Sequence, residues 1–152
     1  MSTASAWSVA LNGIEGAMVE VEVAEGGGLP RTVLVGLPDA ALSQAKERVR
    51  AAVTGAELPW PNGLVTINLS PANLPKTGTH YDLAIATAAL AAIDKVPKEA
   101  ARNHVCLGEL GLDGRLRRVP GILPALLAAV RSGFDKAIVP ASQEAEASLV
   151  PG

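Results

Sequence analysis

The sequence predicts an α+β or α/β sandwich, in which strands and helices form packed layers. Three observations carry this. Residues 17–24 alternate, with Met18, Glu20 and Glu22 on one side and Val19, Val21 and Val23 on the other, the period of a half-exposed strand. Residues 39–54 repeat apolar side chains at helical spacing. Further along, single strand-like runs stand between helix-like runs, and Asp113-Gly114 is a hairpin turn.

Taken in order, a short strand is expected near residues 7–11, and Asn12-Gly13 turns it into the alternating strand. Residues 26–30 (Gly-Gly-Gly-Leu-Pro) read as a loop and residues 32–35 as a buried strand. A helix opens near Pro38 or Asp39, where proline tolerates the first turn and aspartate suits the positive helix end. Leu42, Ala45, Val49, Ala52 and Val53 form its apolar face, while Ser43, Lys46, Glu47 and Arg50 face water. Residues 64–69 are the next strand. Residues 80–93 form a helix with almost no polar side chain, the mark of an element between a sheet and another layer. A strand at 104–110, the hairpin partner at 115–119, and a helix at 121–131 ending at Ser132-Gly133 follow. A strand at 136–139 and a short, partly acidic helix at 141–149 close the chain.

Composition excludes several classes. With 152 residues the chain fits one domain, 1–152, able to bury a core without staples. Hydrophobic residues are 49% and aromatics 3%, so Ala, Val, Leu and Ile must build that core. A net charge of −2 argues against nucleic-acid binding through bulk electrostatics. The single cysteine, Cys106, lies in an apolar run and reads as a small core residue; with no basic N-terminal region, a cytoplasmic setting is expected. No apolar run reaches the roughly 20 residues a membrane span requires, so no membrane partner is expected. The ending Val150-Pro-Gly152 reads as a linker cut.

Chemistry concentrates at Asn68-Leu-Ser-Pro-Ala-Asn-Leu-Pro-Lys-Thr-Gly-Thr-His-Tyr-Asp82, which runs from a strand through a loop into the apolar helix. It resembles the active-site loop of Lon-type proteases and, more closely, the N-terminal domain of the ComM/YifB family, the Mg-chelatase-like AAA+ ATPases. Further segments resemble that family: Val35-Gly-Leu-Pro-Asp39 with Lys46-Glu-Arg-Val-Arg-Ala-Ala52, the hairpin Gly108-Glu-Leu-Gly-Leu-Asp-Gly-Arg115, and Leu126-Leu-Ala-Ala129 through Ala137-Ile-Val-Pro140. The resemblance implies the fold shared by Lon protease domains and ribosomal protein S5 domain 2. It also implies an ATPase module C-terminal to Gly152, a hexameric ring of neighbouring subunits, and a role in DNA branch migration and natural transformation. ATP and Mg are expected in that module and no cofactor in this domain.

The same resemblance implies that the Lon chemistry is absent. Lon proteases place a nucleophilic serine shortly after Pro-Lys-x-Gly; counting from Pro75 to Gly78, that place belongs to His80. The catalytic lysine belongs near the start of the helix carrying Leu126 to Ala129, and counting back puts Leu123 there. An apolar side chain accepts no proton, so a Ser–Lys dyad cannot operate. Lys76, Gly78, His80 and Leu123 mark a degenerate site.

Other readings are open to the same residues. A rearranged serine peptidase would use Ser70, His80 and Asp82. However, His80 and Asp82 are two apart and point to different helix faces, and a hydroxyl before Pro71 commonly bonds local backbone. His80 is expected to cap or open the helix and Asp82 to face its first-turn amides. His80, His104 and Asp82 lack metal-ligand spacing. Gly26-Gly-Gly28 leads into a strand rather than a helix, Pro38 lacks an N–H, and no Gly-x-x-x-x-Gly-Lys-Ser/Thr occurs. Two basic clusters, Lys46, Arg48 and Arg50 on the first helix and Arg115, Arg117 and Arg118 on the hairpin, read most simply as solvated charge. As a contact surface for DNA or a neighbouring subunit, the candidates are Lys46, Arg50, Arg115, Arg117 and Arg118. None of Trp7, Trp60, Tyr81 or Phe134 interleaves with these runs. Trp60, between two prolines, is expected to be partly exposed, as a partner anchor or packed under its own loop. A stand-alone interaction module is the third reading.

Overall fold

The computed structural model describes residues 2–152. Two long strands, β1 (Ser2–Asn12) and β2 (Glu15–Gly26), pair antiparallel along their whole length. β2 pairs antiparallel with β4 (Leu64–Ser70), which runs parallel to β3 (Arg31–Val35). On the other side β1 runs parallel to β5 (Val105–Cys106), and β5 to β8 (Ala137–Ile138). The sheet is therefore mixed, in the order β3-β4-β2-β1-β5-β8, and β6 (Glu109–Leu110) with β7 (Leu116–Arg117) makes a separate ribbon.

Strand alternation decides the layers. Ala4, Ala6, Val19, Val21, Val23, Val65, Ile67 and Leu69 form one buried face. Against it lie α3 (Asp82–Ala92), directly on β1 and β2, and α2 (Ala45–Gly55), which packs on α3. Alanines on both β1 and α3 bring helix and sheet close, which is how a chain poor in aromatics fills its interior. Trp7, Val9, Leu11 and Met18 point the other way and are covered by α5 (Ile122–Arg131). Beyond α5 that second face carries Glu20, Glu22, Thr66 and Asn68, of which Glu22 is exposed and the others are partly buried, in line with the alternation in β2.

Several sequence expectations change in detail. The helix opening at Asp39 is two: α1 (Ala40–Ser43), N-capped by Asp39 Oδ1 accepting from the Leu42 amide at 2.8 Å, and α2, offset at Gln44. All five predicted inward residues are buried. β3 is a half-exposed edge strand rather than a buried one. The run at 104–110 divides because the chain leaves the sheet after Cys106 and reappears in the ribbon. Residues 141–149 fold as a 3-10 turn (Ala141–Gln143) and α6 (Glu144–Ala147). α4 (Lys98–Arg102) has no counterpart in the sequence reading, since five residues are too few to show a period. Among the described residues, no helix is long and apolar enough to cross a membrane.

Candidate functional site at the loop before α3

Residues 71–79 cross the ends of β3 and β4 and are fixed there by Lys76. Its side chain is fully buried, and Nζ donates to the carbonyls of Gly36 (2.7 Å), Leu69 (3.0 Å) and Pro71. The backbone around it is tied as well: Lys76 N donates to Leu37 O (3.0 Å), and Asp39 N donates to Lys76 O (2.9 Å). Gly36 (φ +113°) permits this crossing, because a Cβ there would lie 2.3 Å from Leu69 O. Leu37 follows in the left-handed region (φ 58°), a conformation costly for leucine and held by these bonds. Burial lowers the Lys76 ammonium below its ordinary value. With three carbonyl partners, Lys76 serves as a clamp on the loop.

His80, where the sequence predicts the helix to begin, lies instead in the turn before α3, which starts at Asp82, and is buried. Its Nε2 lies 2.6 Å from the carbonyl of Val9, which can only accept, so Nε2 carries the proton. The reason lies in the sheet. Continuing the parallel register from Trp7↔Val105 would bring the Gly108 amide to Val9 O. Instead the Gly108 amide donates to His80 O (3.1 Å), and Leu83 N donates to Gly108 O (3.2 Å). His80 is thus inserted between β1 and the departing chain, satisfying both orphaned groups. Burial pushes the imidazole pKa down, against the Val9 bond and the charge of Asp39.

Asp82, the first residue of α3, is also fully buried, and it does not serve the helix amides. Its carboxylate accepts from Arg48 Nε (2.6 Å) and Nη2 (2.7 Å) and from the Leu110 amide (3.0 Å), so α2, α3 and the ribbon meet at one ion pair. Arg48, grouped by sequence with the solvated cluster, turns inward instead, and the bond to Asp82 raises its pKa. Burial pushes the Asp82 carboxyl up, while Arg48 and the Leu110 amide pull against it. The sequence places Arg48 one position off the apolar stripe, which is the only signal of this role.

The remaining candidates are spread out. Ser70 Oγ accepts from Asn68 Nδ2 (3.2 Å), a side chain rather than local backbone; no hydrogen bond joins Ser70, His80 and Asp82. Leu123 sits half-buried in the first turn of α5. His104 Nδ1 bonds Ala100 O (2.6 Å), away from His80. Among the described residues no three His, Cys, Asp or Glu side chains gather as a metal site. Cys106 is buried beside Thr87, with its thiol pushed up to about 11. Gly26 to Gly28 lead into β3, and the Asp39 amide ahead of α1 donates to Lys76 O. Arg115, Arg117 and Arg118 are exposed on the ribbon, and Arg50 is exposed while Lys46 is half-buried on α2. The ribbon tip abuts the end of α2, where a Cβ on Gly55 would lie 2.3 Å from Leu112 O.

The geometry describes a mixed-sheet α/β domain whose loop-to-helix junction is built from buried polar joints. Residues 19–143 match the model of a family described as subunit ChlI of Mg-chelatase. Over 152 residues the chain is 52% identical to an uncharacterized protein of Mycobacterium tuberculosis, covering 100% of this chain and 30% of that protein. It is 41% identical to the competence protein ComM of Haemophilus influenzae over 151 residues (99% of this chain, 29% of ComM). To the uncharacterized YifB of Escherichia coli it is 40% identical over 140 residues (92% and 28%). The chain belongs to this Mg-chelatase-like, ComM/YifB family, and it spans about 30% of the length of the relatives it matches. A weaker likeness to the Lon protease of Clostridioides difficile, 32% over 87 residues, covers 57% of this chain.

Proposed function

We propose that this chain is a non-catalytic domain of a ring-forming ATPase of the ComM/YifB type, with the fold of Lon protease domains and ribosomal protein S5 domain 2. In this reading it supports ring assembly or DNA engagement, and the longer protein works in DNA branch migration and natural transformation in the cytoplasm. The observation that carries it is similarity to ComM along essentially the whole chain while covering 29% of ComM, as one domain of a longer protein would. The absence of hydrolysis in this domain rests on His80 and Leu123 at the places where Lon proteases carry serine and lysine. ATP and Mg belong, in this reading, to the remaining part of such a protein.

The exposed arginines Arg117 and Arg118 and the outward side of α2 are the surfaces assigned to those contacts. Charge reversal, Arg117→Glu with Arg118→Glu, in the full-length protein is expected to weaken hexamer formation or DNA branch migration. Unchanged assembly and unchanged branch migration would overturn the assignment.

A further inference from the structure

A pocket lies where the start of β3, the last turns of α2 and the 59–63 loop converge. Arg31, Thr32, Arg50, Thr54, Trp60 and Asn62 line it. These residues are scattered in sequence, and folding brings Trp60, Arg31 and Arg50 to the lining of one pocket. Arg50 and Thr54 share one face of α2 at i, i+4, with Lys46 one turn earlier.

Three features suit a phosphorylated, planar ligand. Arg31 and Arg50 are both exposed, and among the described residues neither forms an ion pair. No carboxylate lines the pocket, so nothing there opposes an anion. Trp60 is held rather than free: it packs partly against the main core, and Pro59 and Pro61 stiffen the backbone on either side. A pre-set aromatic surface spares the ordering cost of binding. Guanidiniums match phosphate oxygens bidentately, and an indole face accepts any base by stacking.

We propose that this pocket binds a nucleotide unit, its phosphate between Arg31 and Arg50 and its base on Trp60. That chemistry is common to a free nucleotide and to a nucleotide within a single strand. The site shares Arg50 with the outward side of α2 but is lined by no residue of the arginine ribbon. Its test uses this 152-residue chain alone, so its failure is distinguishable from failure of the ring-assembly reading, which is tested at Arg117 and Arg118.

The test is an amide and indole NMR titration of the unmodified chain with dTMP, with a dT12 oligonucleotide, and with inorganic phosphate. The expected result is saturable shifts confined to the Trp60 indole and the amides of Arg31, Thr32, Thr54 and Asn62. Shifts with dTMP and dT12 alike identify a pocket for free nucleotides; shifts with dT12 alone identify a strand-binding site. Arg31→Gln with Arg50→Gln is expected to weaken dT12 binding at least tenfold at 50 mM salt, with the amide spectrum otherwise unchanged. Trp60→Phe is expected to weaken it less. No saturable shift with dTMP or dT12, shifts that phosphate alone reproduces in full, or shifts centred on another surface would overturn the proposal.

Discussion

The imidazole of His80 donates from Nε2 to the carbonyl of Val9 across 2.6 Å, in the place where the sheet would otherwise have been closed by Gly108. In the proposed reading, this joint takes the place where Lon proteases carry a nucleophile. Replacing His80 by Ala removes the bond and leaves a buried carbonyl unpaired beside a void, a loss of about 2–4 kcal/mol. Chemical denaturation at pH 8 measures it. His80→Ser is expected to destabilise similarly and, in the proposed reading with Leu123 at the place of the Lon lysine, to remain unlabelled by a serine-reactive phosphonate.

The same joint gives a pH dependence whose sign is fixed. Burial holds the folded-state pKa of His80 below the unfolded value of about 6.5. Below pH 6.5 the unfolded chain therefore binds a proton that the folded chain refuses, and stability falls as pH falls toward the folded pKa. His80→Gln should be less stable at pH 8 but lose less further stability between pH 7.5 and 5.5, measured by urea unfolding. A variant with an unchanged slope would show that another group governs this window.

At the Arg48–Asp82 pair, Asp82→Ala leaves a guanidinium largely buried and the Leu110 amide unpaired, and should cost about 3–5 kcal/mol. Arg48→Met combined with Asp82→Leu should recover part of that loss, since no unpaired charge then remains buried. Additive losses in the double variant, read from equilibrium unfolding, would contradict a coupled pair.

Lys76→Met removes three carbonyl contacts of a buried cation and should cost about 3 kcal/mol. The effect should be local as well as global. Amide exchange at Lys76 and Asp39 should accelerate well beyond that of Ile85 in the centre of α3. Uniform acceleration would mean that Lys76 stabilises the whole fold rather than fastening the loop.

Periodicity made the layers legible: the valines of β2 and the five apolar positions around α2 lie where alternation and helical spacing put them. Edges and short elements were not legible. Whether residues 32–35 are central or at an edge depends on strand order, and two-residue strands such as β5 carry no pattern. The loop before α3 was found from its residue string, but its wiring was not. That Lys76 turns inward to three carbonyls, that Arg48 pairs with a residue 34 positions away, and that Trp60 joins Arg31 and Arg50 are consequences of tertiary closure.

The most direct measurement of the central claim, that His80 in the loop before α3 is a closed structural joint, is a long-range 1H–15N spectrum of the imidazoles from pH 8 to 5. The account predicts that His80 is the Nε2–H tautomer, slow to exchange with solvent and without protonation near pH 6.5. A His80 ring that titrates at an ordinary pKa with a freely exchanging Nε2 proton would contradict it, and would mean that the site is open.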